Sequence, residues 1–311
     1  MQNSCNKSAV KKYTATTLNF VFLFTIALPA NSRADDQHGS SETMLGDHQH
    51  DDFYADLPPL GFSLTEGWLD PWPHTHFSRS GTPFVHGFGL EPAYLDRDLF
   101  FDFAFVRGGD ENEFETEIEL EWAFTRRLGF VLEVPYIQRN PDFGSTETGF
   151  GDMAIAPRAL LYESDRFLLS ANLEIGFPTG DETKGFGGEE VGLAPSISTW
   201  LALGRRTTLQ IQFGYETGVE SGDSEIFYSA AITHAIYTRA NAPHHDPIHF
   251  PPGMVNLISE FTGRTGVDGE EEGETSAELL LGLSYLLTPH WEIRGAYQFP
   301  IIGDTELEGT S

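Results

Sequence analysis

The sequence predicts an all-β protein, an antiparallel transmembrane β-barrel of about 12 strands. Residues 114–124 alternate between apolar or β-branched side chains and glutamates, which is the period of a strand with one apolar and one acidic face. Similar segments recur from residue 99 onward, near the 9–11 residues that a tilted strand needs to cross a bilayer. Short turns alternate with long loops along the chain, as in bacterial outer-membrane barrels.

Residues 1–34 have the composition of a secretory signal peptide. Lys7, Lys11 and Lys12 precede an apolar stretch at residues 18–28, and Ser32 to Ala34 offers small residues for cleavage after Ala34. An uncleaved anchor is the alternative interpretation. The apolar stretch is short for a spanning helix, and we expect export through a cleavable signal to the outer membrane of a Gram-negative bacterium.

Two further segments precede the predicted barrel. Residues 35–76 are rich in Asp, His, Ser, Gly and Pro, and this composition predicts a mobile acidic and histidine-rich arm. Residues 77–98 contain several glycines and prolines and are interpreted as an ordered lead-in. Residues 99–311 form the predicted outer-membrane barrel.

Eleven strands are predicted within the barrel. They lie near 99–107, 114–125, 128–138, 151–162, 167–177, 191–203, 207–217, 224–237, 253–263, 276–287 and 291–301. Because single-chain bacterial barrels usually have an even number of strands, a twelfth is expected. It is either absent from this chain or formed by residues 77–98; we favour a truncated end, since residues 305–311 resemble a loop about to enter a strand.

Charge and composition exclude several classes of protein. The formal net charge of −29 excludes a nucleic-acid partner and favours cations over anions. The only cysteine is Cys5, within the predicted signal. No segment approaches 18 consecutive apolar residues, which excludes a helical membrane protein. The expected partners are outer-membrane lipid and a small-molecule solute, and the sequence leaves the oligomeric state open.

Charged residues on the polar faces of the strands are the candidates for a permeation role. A wall of like charges in a pore selects solutes by sign. If the lumen is open, these carboxylates favour cations or neutral solutes; alternatively, they pair with the two arginines and fill a narrow barrel. The candidate lumen-lining residues are Glu115, Glu117, Glu119, Glu121, Glu133, Glu174, Arg158 and Arg294.

No cofactor is expected, except that two histidine clusters are candidates for a divalent metal. Imidazole and carboxylate together suit zinc, copper or nickel. The clusters contain His48 and His50 in the arm, and His244, His245, Asp246 and His249 in the long 238–252 connection. The alternative is that these residues are solvated parts of polar loops.

No catalytic residues are predicted, and we expect the protein not to be an enzyme. The sequence contains no G-x-S-x-G, phosphate-binding loop or zinc-protease motif. Ser229 and His234 lie five apart on one predicted strand, and therefore on opposite faces.

Residues 149–181 contain G-F-G-D-M-A-I-A-P-R and A-N-L-E-I-G-F-P-T-G-D, followed by Leu193-Ala194-Pro195 and Gln298-Phe299-Pro300. These motifs resemble the family called the putative MetA-pathway of phenol degradation proteins. The resemblance spans roughly residues 80–305 and implies a membrane barrel with a role in solute passage, without catalytic residues. We therefore expect passage of a small neutral, hydrophobic or cationic solute; the alternative is a structural or metal-binding barrel without an open pore.

Overall fold

The protein was analysed as a computed structural model. The structure describes residues 19–27, 57–73, 76–107, 111–141, 144–237, 253–269, 271–288 and 291–303. Within these ranges the chain is almost entirely β-structure, with one turn of 3₁₀-helix at Glu182–Lys184. Among the helices of these ranges, none is both long enough and apolar enough to cross a membrane.

Thirteen strands are present in the described parts of the chain, and they confirm the eleven predicted strands. Each predicted strand has a counterpart within a few residues at both ends. The strands are β1 Asn19–Ala27, β2 Asp98–Arg107, β3 Glu111–Ala123, β4 Leu128–Pro141, β5 Glu147–Phe150, β6 Met153–Glu163, β7 Phe167–Phe177, β8 Gly192–Ala202, β9 Thr207–Gly218, β10 Ser224–Tyr237, β11 Val255–Asp268, β12 Thr275–Thr288 and β13 Trp291–Ile302.

Twelve of these strands form a closed antiparallel ring, which confirms the predicted barrel. Each pairs with its neighbour in the chain from β6 to β13; β13 then pairs with β1, β1 with β2, β2 with β3, β3 with β4, and β4 with β6. The short β5 pairs only with the long-loop end of β4 and stands outside the ring. Closure leaves none of the twelve strands with a free edge, as a lipid environment requires.

The strand β1 is formed by the apolar stretch of the predicted signal peptide. Its backbone pairs with β13 from Asn19 opposite Gln298 to Ile26 opposite Trp291, and with β2 on the other side. Residues 19–27 thus hold the twelfth position. Residues 77–98, the other part of this chain considered for that position, contain no strand before β2 begins at Asp98. Cleavage after Ala34 stays a prediction.

The two faces of the strands differ as the alternation predicts. On β9, Ile211, Phe213 and Tyr215 are exposed on the outside, whereas Gln210 and Gln212 are buried inside. On β7, Leu173 and Phe177 are exposed while Ser170 and Asn172 are buried. A band of exposed apolar side chains outside and buried polar side chains inside is the arrangement of a transmembrane barrel.

The described residues of 57–82, here called the base, cover the end of the barrel that carries the short turns. Leu60 and Trp72 are buried in one cluster with Ala123 on β3 and with residues of β6 to β8. The hydroxyl of Thr82 donates to the carbonyl of Gly204, and that of Ser80 to the carbonyl of Asp165, both in short turns. The mobile arm was predicted over residues 35–76, of which the structure describes 57–73 and 76. In this described part, Leu60 and Trp72 are buried against the barrel.

The base is fastened by an arginine in the turn between β3 and β4. The Arg127 guanidinium donates to the carbonyls of Gly61 and Glu66 in the base, and to those of Leu160 and Leu161 on β6. It is fully buried, and burial lowers its pKa from the ordinary value. One side chain thus satisfies carbonyl groups from two parts of the chain that would otherwise lack partners.

Candidate functional site

Residues 83–96, here called the lumen segment, run from the base into the interior of the barrel. Their backbone forms neither helix nor strand, so its polar groups need partners from elsewhere. Inward-facing side chains of the wall supply many of them. The Gln210 side-chain amide donates to the carbonyl of Val85 at 2.7 Å, and Gln212 accepts from the N–H of Glu91 at 3.1 Å.

Three more strands hold the lumen segment. The N–H groups of Phe88 and Gly89 donate to the two carboxylate oxygens of Glu260 on β11, at 2.6 and 3.0 Å. On β13, Arg294 donates to the carbonyl of Gly87 at 2.6 Å. Arg158 on β6 donates to the carbonyls of Pro92 and Tyr94. The segment is therefore attached to strands on several sides of the ring.

The lumen segment reaches about halfway through the barrel. Gln212, Glu260 and Arg158 each lie five residues from the short-turn end of strands that have 11 to 14 residues. Five residues correspond to about 16 Å along a strand. The segment packs closely against the wall at Gly87, where an added Cβ would come within 2.7 Å of the Glu260 carboxylate. The short-turn half of the lumen is therefore filled by protein.

Both predicted arginines lie in this filled half. Arg158 forms ion pairs with Glu91 of the lumen segment at 2.9 Å and with Glu121 on β3 at 3.4 Å. The Arg294 guanidinium lies over the ring of Phe100, 4.9 Å from its centroid. For Glu121 and Arg158 the structure thus shows the pairing expected of a filled barrel.

The other predicted carboxylates lie level with the tip of the lumen segment or closer to the long-loop mouth, and we call them the acidic wall. They are Glu115, Glu117 and Glu119 on β3, Glu133 on β4, and Glu174 on β7. All are half-buried, and in the described parts of the chain none has an ion-pair partner within 4.0 Å. Asp102 on β2, which the sequence analysis missed, lies opposite Glu117, and carboxylate oxygens of Asp102, Glu117 and Glu119 lie within 4.8 Å of one another.

A second cluster, also missed, lies where the lumen segment meets the foot of β2. Donor atoms of His86, Asp96 and Asp98 lie within 4.8 Å of one another. His76 joins them, with its Nδ1 3.5 Å from Oδ2 of Asp96. The four residues are at most 8% exposed. The four residues form no recognisable motif in the sequence. His76, His86 and Asp96 are spaced ten residues apart, and only the fold of the lumen segment brings them together.

His86 lies between carboxylates: its ring nitrogens are 3.6 Å from Glu121 and 3.7 Å from Asp98. Burial and the nearby Arg294 outweigh the opposite effect of Asp96 and hold the pKa of His86 well below its usual value. Burial likewise raises the pKa of Tyr94, whose ring packs edge-on against His86.

At the opposite end, the loop between β7 and β8 folds over the barrel mouth. Asp152 accepts the N–H groups of Gly180 at 2.7 Å and Gly188 at 2.6 Å. Phe186 at the tip is buried beneath the Arg139 guanidinium, 5.1 Å from its ring centroid. The two motifs G-F-G-D and P-T-G-D are therefore joined: the aspartate of the first clamps the glycine of the second.

The metal site predicted from His48, His50, His244, His245, Asp246 and His249 lies outside the described residues. Ser229 is buried inside the barrel, whereas His234 lies on the outer face and contacts the Thr207 hydroxyl at 2.8 Å. These two side chains point to opposite faces, so they do not form a nucleophile and base pair.

The family model described as "Putative MetA-pathway of phenol degradation" matches residues 109–306. The chain belongs to this family. No curated protein matches it. The match contains the clamp formed by Asp152 and Gly180 and the whole acidic wall, but it begins after the lumen segment.

Proposed function

We propose that the protein is a bacterial outer-membrane barrel that passes a small neutral, hydrophobic or cationic solute. The observation that carries this proposal is the acidic wall, whose carboxylates face the lumen without arginine or lysine partners among the described residues. Unpaired carboxylates in a confined space attract cations and repel anions. Phenols fit the same rule, because a phenolic hydroxyl with a pKa near 10 is neutral at pH 7.

The lumen segment limits the route that a solute can take through the barrel. Since it fills the short-turn half, a solute entering at the long-loop mouth reaches the acidic wall and then meets residues 87–91. Passage to the other side therefore requires the lumen segment to shift. Hydrogen bonds from five wall side chains hold it, and their loss would open the lumen.

Planar-bilayer conductance of the refolded protein in a salt gradient tests the proposal. Discrete cation-selective steps are expected, and a Glu117→Gln, Glu119→Gln double variant should lose much of the cation preference. Asp165→Asn is the matched control, because Asp165 is exposed in a short turn away from the acidic wall. Unchanged selectivity in the double variant would refute the role of the acidic wall.

The second candidate is a structural or metal-binding barrel without an open pore. The attachment of the lumen segment to β6, β9, β11 and β13 favours this alternative. The test measures conductance of the unaltered protein and of a variant with the lumen segment released, both shown to be folded by heat-dependent gel migration. Absence of conductance from both would support a barrel without an open pore over solute passage.

A further inference from the structure

The cluster of His76, His86, Asp96 and Asp98 joins two parts of the fold. His76 lies in the base, His86 and Asp96 lie in the lumen segment, and Asp98 is the first residue of β2. The chain thus enters the barrel at His76, turns back inside, and returns beside its point of entry. Four potential ligands meet where the loop closes.

The donor set suits a divalent transition metal. Zinc binds imidazole nitrogen and carboxylate oxygen at about 2.0–2.2 Å and prefers four ligands. Donor atoms of His86, Asp96 and Asp98 already lie within 4.8 Å of one another and would draw together around one ion. The Nδ1 of His76, 3.5 Å from Asp96, is placed to be the fourth ligand.

An independent observation points to a missing ligand. Asp98 is 3% exposed, and within the described parts of the chain its Oδ1 atom has no hydrogen-bond partner. Its other oxygen lies 3.7 Å from Nε2 of His86, so the carboxyl group is directed into the cluster. A buried carboxylate oxygen without a partner is costly, and a bound cation would satisfy it.

The charges around the cluster are compatible with a cation. Asp96, Asp98 and Glu121 supply three carboxylates beside the two imidazoles. Arg158 is paired with Glu91 and Glu121. The Arg294 guanidinium donates to the Gly87 carbonyl and lies over Phe100; its charge opposes a cation here, but the three carboxylates outnumber it.

We propose that His86, Asp96 and Asp98, with His76, bind one divalent transition-metal ion of the zinc class. This site differs from the two histidine clusters that the sequence suggested. The ion fastens both ends of the lumen segment to the foot of β2. If the barrel passes solutes as proposed above, the ion stabilises the closed lumen; the binding itself does not depend on that function.

The test is a titration of the refolded chain with Co²⁺, followed by visible absorption, and with Zn²⁺, followed by bound metal per chain. The starting protein carries His48→Ala, His50→Ala, His244→Ala, His245→Ala and His249→Ala, so that those clusters do not contribute. One ion per chain is expected, with d–d bands of histidine-ligated Co²⁺. Asp98→Asn and His86→Gln, each checked for folding by heat-dependent gel migration, should weaken binding at least about 100-fold. Asp165→Asn is the control.

Three results would overturn the site. The first is no binding tighter than millimolar in the starting protein. The second is undiminished binding in a folded Asp98→Asn or His86→Gln variant. The third is a Co²⁺ spectrum without histidine ligation. If the refolded protein binds the metal ion as expected but shows no conductance, only the solute-passage proposal is contradicted. The two proposals therefore fail independently.

Discussion

The Glu260 carboxylate on β11 accepts a hydrogen bond from the backbone N–H of Phe88 at 2.6 Å, deep inside the barrel. Its second oxygen accepts from the N–H of Gly89. Since both N–H groups belong to the tip of the lumen segment, a single wall residue holds that tip in place. The contact links a strand to a segment about 170 residues earlier in the chain, and no local sequence pattern records it.

Glu260→Ala should release the tip of the lumen segment. The substitution removes the acceptor of two part-buried hydrogen bonds to a charged group, which together contribute on the order of 1.5–3 kcal/mol. Conductance of the variant in planar bilayers should exceed that of the unaltered protein. Asn256→Ala is the matched control, because Asn256 is buried on the same strand and donates to Ser284 on the neighbouring strand. Equal conductance in all three proteins would contradict the role of Glu260.

Asp152→Ala should free the loop at the barrel mouth. Hydrogen bonds to a charged acceptor contribute about 1.5–3 kcal/mol, so loss of the clamp should speed local opening at least tenfold. Lys184, exposed in this loop, is the only lysine after Lys12, and an endoproteinase specific for lysine therefore cuts the barrel at one place. The cleavage rate at Lys184 is the measurement. Asp165→Ala, at the other end of the barrel, should leave it unchanged; equal rates in both variants would disprove the clamp.

The turn after β9 should loosen in acid through Glu190. Glu190 accepts from the Ser221 hydroxyl and from the N–H groups of Ser221 and Glu220, and these hydrogen bonds lower its pKa. A carboxyl whose folded pKa is lowered contributes stability above its unfolded pKa of about 4.3, and loses it as the pH falls through the folded value. Hydrogen exchange at the Ser221 amide, corrected for the intrinsic rate, should lose protection over that range. In Glu190→Gln the protection should not depend on pH; the same acid-induced loss there would exclude Glu190 as its cause.

The strands were predictable because their physical rule is local. On β9, alternation alone assigned Gln210 and Gln212 to the inside and Ile211 and Phe213 to the outside, and the structure agrees. The same rule directed Glu117 and Glu119 to the polar face. A period of two needs only neighbouring residues, and a membrane imposes it strictly on every strand.

The contents of the lumen were not predictable in the same way. Residues 83–96 have no periodicity, and their position depends on single contacts with Gln210, Glu260 and Arg294, each more than 100 residues away. The histidine-rich segments drew attention to metal ligands because they are conspicuous in the sequence. His86 and Asp98 are inconspicuous in the sequence, and become a candidate site only when the chain turns back on itself.

Arg127→Lys should detach the base of the barrel. The guanidinium donates to four carbonyl groups and lies over the ring of Trp68, whereas an ammonium group has three donors and no planar fork. Losing hydrogen bonds from a charged donor should cost about 1.5–3 kcal/mol. Hydrogen exchange of the residue 60–70 amides measures the effect. Arg205→Lys, in an exposed turn, is the control, and matching exchange in the two variants would rule out the proposed anchoring.

The seam between β2 and β13 should be the weakest part of the barrel once residues 1–34 are removed. In the structure β1 pairs with both strands along its length, so its loss exposes the N–H and C=O groups of two edges. Each such group that lacks a partner in lipid costs several kcal/mol. In detergent or bilayer nanodiscs, amides of β2 and β13 that face the seam should therefore exchange faster in the chain beginning at Asp35 than in the full chain. Amides of β8, which pair with β7 and β9 in both chains, provide the internal reference.

Equal protection at the seam in both chains would mean that β2 and β13 pair directly with each other. They run parallel, since both are antiparallel to β1, so the barrel would then close with eleven strands and one parallel pair.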